Sequence, residues 1–193
     1  MKRNVAILIF DDVQTLDFAG PFEVFSDADQ VCAHEAFHTF TFSLGPGSVR
    51  ARHGLKLVPD FTLEHCPAPQ VLVVPGGSGT RALLRMPALL EWLRIRARSA
   101  EVVLSVCTGA LVLAQAGLLD GLRATTHHGA LDRLRQLAPR AEVVDNERFV
   151  DNGALVTAAG ISAGIDASLH VVGRLLGPAV ADATARQMEY RHI

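Results

Sequence analysis

The chain has 193 residues, 49% hydrophobic and 20% charged, the balance of an ordinary globular protein with enough apolar side chains to bury a sizeable core. Eighteen basic against twenty acidic residues leave a net charge of −2, and the one basic cluster, Arg94, Arg96 and Arg98, alternates with Ile95 and Ala97 near a helix end as a solvated face does, so no nucleic-acid partner is expected. Three widely spaced cysteines, no apolar stretch of spanning length and an M-K-R-N start that runs straight into V-A-I-L-I-F predict a cytoplasmic protein with free thiols, no membrane segment and no secretory signal.

Val5 to Phe10 reads as the first buried strand, and the following loop enters a helix whose start is marked by Gly20-Pro21, with Phe22, Val24 and Phe25 opening its apolar face. Asp17 falls just beyond the C-terminal end of that strand, the side on which open α/β sheets place their sites. Position alone leaves open whether it is functional or a solvated or capping carboxylate. Phe37 to Leu44 alternates between Phe40 and Phe42 on one face and Thr39, Thr41 and Ser43 on the other, and Gly45-Pro46-Gly47 ends this strand. Val49 to Arg52 and Leu55 to Val58, joined by His53-Gly54, predict a short hairpin flap.

Gln70 to Val74 is a second apolar strand and runs into Pro75-Gly76-Gly77-Ser78-Gly79. Glycines directly after a strand let backbone N–H groups approach a ligand, as an anion nest or as oxyanion donors. The loop has neither the phosphate-loop nor the dinucleotide spacing, so no nucleotide cofactor is expected. Leu83 to Arg98, interrupted by Pro87, is helical. Val102, Val103, Leu104 and Val106 then form a buried strand that changes at Cys107 into a helix with Leu111, Val112 and Ala114 on one face, closed by Gly117.

A strand that turns at once into a helix is a nucleophile elbow, and Ser105 and Gly109, two residues to either side of Cys107, leave room for the tight turn. The helix N-terminus beside the sulfur predicts a lowered pKa and a thiolate. Beyond it come Ala124-Thr125-Thr126-His127-His128, a helix through Leu131, Leu134 and Leu137, a strand from Glu142 to Val144, a hairpin from Arg148 to Ala158 turning at Asp151-Asn152-Gly153, and helices from Ile165 to Leu176 and from Pro178 to about Tyr190. His127 and His128 read as structural, hydrogen-bonded histidines, and Trp92 and Tyr190 as core or interface residues. Cys32, His34, His38 and Cys66 have none of the zinc spacings, so no metal is expected. Strands alternating with helices along residues 1–193 predict one α/β domain, a mostly parallel sheet with helices on both faces.

With L-D-F-A-G-P-F-E-V-F, the P-G-G loop, S-V-C-T-G-A-L-V-L-A-Q-A-G-L-L-D-G, A-T-T-H-H and A-G-I-S-A-G-I-D in this order, the whole chain resembles the ThiJ/PfpI superfamily. The motifs are similar both to isocyanide hydratases and to the ligand-binding domains of AraC-type regulators. The resemblance implies a flavodoxin-like three-layer sandwich, a homodimer, a small-molecule substrate and no cofactor. It implies that Cys107 is the nucleophile, Asp17 the acid or base against its sulfur, Thr108 the hydratase residue after the cysteine, and Gly77, beside Gly76, a backbone donor to the oxyanion. Protease-like relatives carry His where Thr108 stands, which argues against His-containing triad chemistry. The activity implied first is the conversion of an isocyanide to an N-formamide. The alternatives are a ligand or redox sensor without catalysis and glyoxalase or deglycase chemistry.

Overall fold

Strands with apolar residues on both faces must be covered on both sides, and Val71–Val74, Val102–Val106 and Leu155–Ala158 are of this kind, with Ser105 and Thr157 their only polar residues. The structure is a computed structural model that describes residues 2–191. It begins with β1 (Arg3–Leu8) and α1 (Thr15–Val31), followed by β2 (Phe37–Ser43), β3 (Val49–Arg50), β4 (Lys56–Leu57) and β5 (Phe61–Thr62). Next come β6 (Val71–Val74), α2 (Thr80–Leu83), α3 (Pro87–Ala97), β7 (Val102–Val106) and α4 (Gly109–Gln115). The last third holds β8 (Arg123–Ala124), α5 (Leu131–Leu137), β9 (Glu142–Val143), β10 (Phe149–Asp151), β11 (Leu155–Ala158), α6 (Ala163–Leu176) and α7 (Pro178–Gln187).

Seven strands form the main sheet in the order β10-β11-β7-β6-β1-β2-β5. Every pairing is parallel except that of β10 with β11. Every residue of β6, β7 and β11 is buried. Helices α1, α6 and α7 pack together as one layer, and α4 packs with α2, α3 and α5 as another. This is the three-layer α/β arrangement expected from the alternation of elements. Register also holds: Val73 of β6 lies between Ile7 of β1 and Leu104 of β7, so the ends of these strands, and the loops that leave them, come out side by side.

Local features depart from expectation for physical reasons. Helix α1 begins at Thr15 and carries Pro21 in its interior. A proline there removes the N–H that would bond to the carbonyl of Asp17. Buried Phe18 on one side of Pro21 and Val24 and Phe25 on the other give the helix a continuous core face, and this tertiary packing overrides the local stop signal. Asp17 is therefore in the first turn of a helix and not on a loop. The predicted 83–98 helix is two elements, because Pro87 takes the first position of α3. Strand β9 pairs with β8 in a separate two-stranded parallel sheet, and β5, only two residues long, escapes any reading of periodicity. The hairpin flap (β3, β4) and the Asp151-Asn152-Gly153 turn form as expected; Asp151 Oδ1 accepts from the Gly153 N–H at 2.7 Å. Trp92 packs partly buried against Phe42, ring centroids 5.1 Å apart, and Tyr190 donates its hydroxyl proton to Asp166 at 2.9 Å. No helix among the described residues is long and apolar enough to cross a membrane.

Helix α4 lies hard against the end of β6: a Cβ on Gly109 would stand 1.9 Å from the Val74 carbonyl oxygen. Gly109→Ala is expected to destabilise the protein by about 2–3 kcal/mol or more, since backbone and not a flexible side chain must yield. Urea unfolding checks this.

Candidate active site

Cys107 is the hinge between β7 and α4, and its backbone adopts φ 57°, the left-handed region that costs a residue with a Cβ on the order of 1 kcal/mol or more. The surroundings hold it there. Its N–H donates to the carbonyls of Ala158 (3.2 Å) and Ala159 (2.8 Å) at the end of β11, and its carbonyl accepts from the hydroxyl of buried Thr126 at 2.7 Å. The elbow expected from the S-x-C-x-G pattern is therefore present, and its strain is borne by three hydrogen bonds from two neighbouring segments.

The first turn of α1 delivers Asp17 beneath the sulfur. The side chain is fully buried. Its Oδ2 accepts from the Gly76 N–H at 3.0 Å, Oδ1 is buried without a hydrogen-bond partner, and the carboxyl and the Cys107 thiol act on each other's ionisation. Burial pushes the carboxyl up to about 6, against the opposing pull of the Gly76 N–H and of Cys107. Burial also pushes the thiol up to about 12, and the negative charge of Asp17 adds to the effect.

This corrects the expectation of a resting thiolate. Backbone N–H groups of Thr108 and Ile161 do favour the anion, but α4 is only two turns long and a carboxylate is the nearest charge. Desolvation and like charge outweigh the helix terminus. The two groups titrate as a pair that keeps one proton between about pH 6 and about pH 12.

The glycine loop does something other than expected. The Gly76 N–H is taken by Asp17, and the Gly77 N–H donates to Thr108 Oγ1 at 2.9 Å. Neither is free for a substrate oxyanion. Their part is spatial: a Cβ on Gly76 would fall 2.5 Å from the Thr108 nitrogen and 2.9 Å from Asp17 Oδ2. Thr108 itself is held by this loop, its hydroxyl donating to the Gly77 carbonyl at 3.2 Å, and the Thr80 hydroxyl donates to the same carbonyl at 2.8 Å. The N–H groups directed at the sulfur belong instead to Thr108 and Ile161. Ile161 was missed by sequence reasoning. It has φ 51°, an uncommon conformation for a β-branched residue, and the only signal for it was its place between Gly160 and Gly164.

A cleft of about 720 Å³ opens over Cys107 and Thr108 and is lined also by Leu84, Leu111, Ile161 and His127. His127 Nδ1 accepts from the Gly129 N–H at 3.1 Å. Burial, then the neighbouring His128, lowers its pKa, so the ring is neutral near pH 7 with its proton on Nε2. It is hydrogen-bonded, as expected, and it also walls the cleft. Among the described residues no group of three His, Cys, Asp or Glu side chains is placed to hold a metal ion.

A cysteine on a strand-to-helix elbow, at the carboxyl edge of a parallel sheet and backed by a buried acid, defines an α/β protein of the cysteine-elbow class. The sequence model of the DJ-1/PfpI family matches residues 3–174, and the chain belongs to this family. It is 38% identical over 190 residues to an isonitrile hydratase of Pseudomonas putida, covering 98% of this chain and 79% of that one. It is 28% identical over 191 residues to the HTH-type transcriptional regulator GbdR of Pseudomonas aeruginosa, of which it spans about half, 52%, against 99% of its own length. Among solved structures, a ThiJ/PfpI family protein from Pseudomonas syringae superposes with a TM-score of 0.88 at 28% identity, over 100% of this chain and 77% of that one.

Replacing Asp17 by Asn removes the nearest anion, so the Cys107 thiol should ionise more readily. Iodoacetamide should alkylate Cys107 faster in Asp17→Asn than in the wild type near pH 8, as followed by peptide mass spectrometry. The same variant tests the carboxyl. A folded-state pKa near 6 means that the folded protein binds the proton more tightly than the unfolded chain, so this group's contribution to stability falls as pH rises from about 4 past about 6. The stability of Asp17→Asn relative to wild type should therefore grow by about 2–3 kcal/mol between about pH 4 and about pH 8, measured by urea unfolding.

Proposed function

We propose that the protein is an isocyanide hydratase, a lyase acting through Cys107 that turns R–NC and water into R–NH–CHO. The observation that carries this reading is the elbow cysteine, Cys107, with the fully buried Asp17 carboxyl acting on its thiol. Its support is the similarity to an isonitrile hydratase over nearly the whole chain.

Addition of a thiol to the terminal carbon of an isocyanide needs a nucleophile and a proton at one carbon atom, and the pair supplies both. Asp17 takes the proton from the thiol as sulfur attacks, then passes it to the same carbon, which gives the thioimidate R–N=CH–S–Cys107. The carboxylate so formed draws a proton from water as the oxygen adds to carbon, and returns it to nitrogen. Collapse of R–NH–CH(OH)–S–Cys107 expels the sulfur, which regains the hydroxyl proton, and releases the formamide. The Thr108 and Ile161 N–H groups steady the sulfur whenever it carries charge. The hydrogen bonds around Thr108 keep its hydroxyl off the sulfur and on the glycine loop.

Formamide production from cyclohexyl or phenyl isocyanide tests the reading. Cys107→Ala is expected to lower turnover on the order of 10³-fold or more, and undiminished turnover in that variant overturns the mechanism. Below about pH 6 Asp17 is protonated and cannot accept the thiol proton, so kcat/KM should rise through about pH 6 and stay level into the alkaline range. The likeness to GbdR favours one second reading, a ligand sensor without turnover; binding of the isocyanide with no formamide formed would select it.

A further inference from the structure

The chain as a whole is slightly acidic, yet the cleft above Cys107 is lined by four arginines, Arg52, Arg81, Arg85 and Arg133, and by no Asp or Glu. They arrive from separate places: Arg52 from the loop after β3, Arg81 from α2 and Arg85 just behind it, and Arg133 from α5. Several arginines elsewhere are ion-paired, as Arg94 is with Glu91, Arg148 with Asp166 and Arg174 with Asp151, although Arg50, which reaches only the Gly54 carbonyl, is not. None of the four has a carboxylate among the described residues. Arg52 reaches only the Gln14 amide oxygen at 3.4 Å and Arg133 only that of Gln136 at 3.0 Å. Like charges gathered around one opening repel each other unless an anion enters between them.

Among the described residues, the charged side chain that acts on the Cys107 thiol is Asp17 and none of the four arginines. The same cleft is lined by the apolar side chains of Leu84 and Leu111. Building on the hydratase reading, we propose that the cleft takes an isocyanide bearing an oxyanion, a carboxylate or a phosphate, at the far end of a short apolar spacer. The arginines hold the anion by charge-assisted, forked hydrogen bonds, and the spacer crosses the aliphatic wall. The isocyano carbon is thereby delivered to the sulfur.

The test compares 4-isocyanobenzoate with its methyl ester, which share a reacting end and differ in charge. The acid should have a kcat/KM roughly 10-fold or more above the ester at low ionic strength, the difference lying in KM. About 0.5 M salt should erase most of it. Arg81→Ala/Arg85→Ala, both exposed positions, should bring the acid-to-ester ratio towards one. Calorimetric titration with benzoate and with phenyl phosphate reads the anion site without any chemistry. Both should bind more weakly to the double variant, and the tighter of the two identifies the preferred oxyanion. Equal kcat/KM for acid and ester, with benzoate and phenyl phosphate binding the same in wild type and double variant, overturns the proposal. If no isocyanide is hydrated, the hydratase reading falls and the two titrations alone decide the anion site.

Discussion

The site depends on one constraint, the left-handed backbone of Cys107. A residue with a side chain resists that conformation, and here it is imposed from three directions: the end of β11 accepts the cysteine N–H, Thr126 binds its carbonyl, and α4 starts two residues later against the end of β6. The turn lifts the sulfur out of the sheet and onto Asp17. Without that geometry the cysteine would be one more buried thiol among the three the chain carries, as Cys66 is, also raised to about 12 by burial but with no acid beside it.

Holding the pair in apolar surroundings has an electrostatic result that neither group gives alone. A solvated carboxylate is too weak a base to hold a thiol's proton. Desolvation raises both pKa values. The single proton left at neutral pH rests on the sulfur, and the charge acting on that thiol is the carboxylate able to take it. Stability is lost to keep a carboxylate fully buried with one oxygen unpartnered, a conflict of the kind found at working sites.

Much of this was legible in the sequence, and the illegible part has specific causes. Buried strands such as Val71–Val74 and Val102–Val106 announce themselves because both faces are apolar, and the elbow follows from a strand pattern giving way to a helical one across Cys107. Asp17 could be singled out, but its seat on a helix could not, since Pro21 is a local stop signal that only the packing of Phe18 and Phe25 overrules. The ionisation of Cys107 was misread for a similar reason: a helix terminus is visible in sequence, whereas depth of burial and the approach of a carboxyl from two strands away are not. The partners of the Gly76 and Gly77 N–H groups and the role of Ile161 are facts of distance between segments far apart in the chain.

Sheet order carries a consequence for how the molecule is made. The strand that leads towards Asp17 is central, between β6 and β2, whereas the strand that anchors the elbow, β11, is added near one margin and comes from residues 155–158. A contiguous fragment that contains acid, thiol and anchor together must run from Asp17 through Ala159. An N-terminal fragment that stops before β11 therefore lacks the segment that receives the Cys107 N–H, and acid, thiol and anchor come together only when the last strand of the main sheet has joined it.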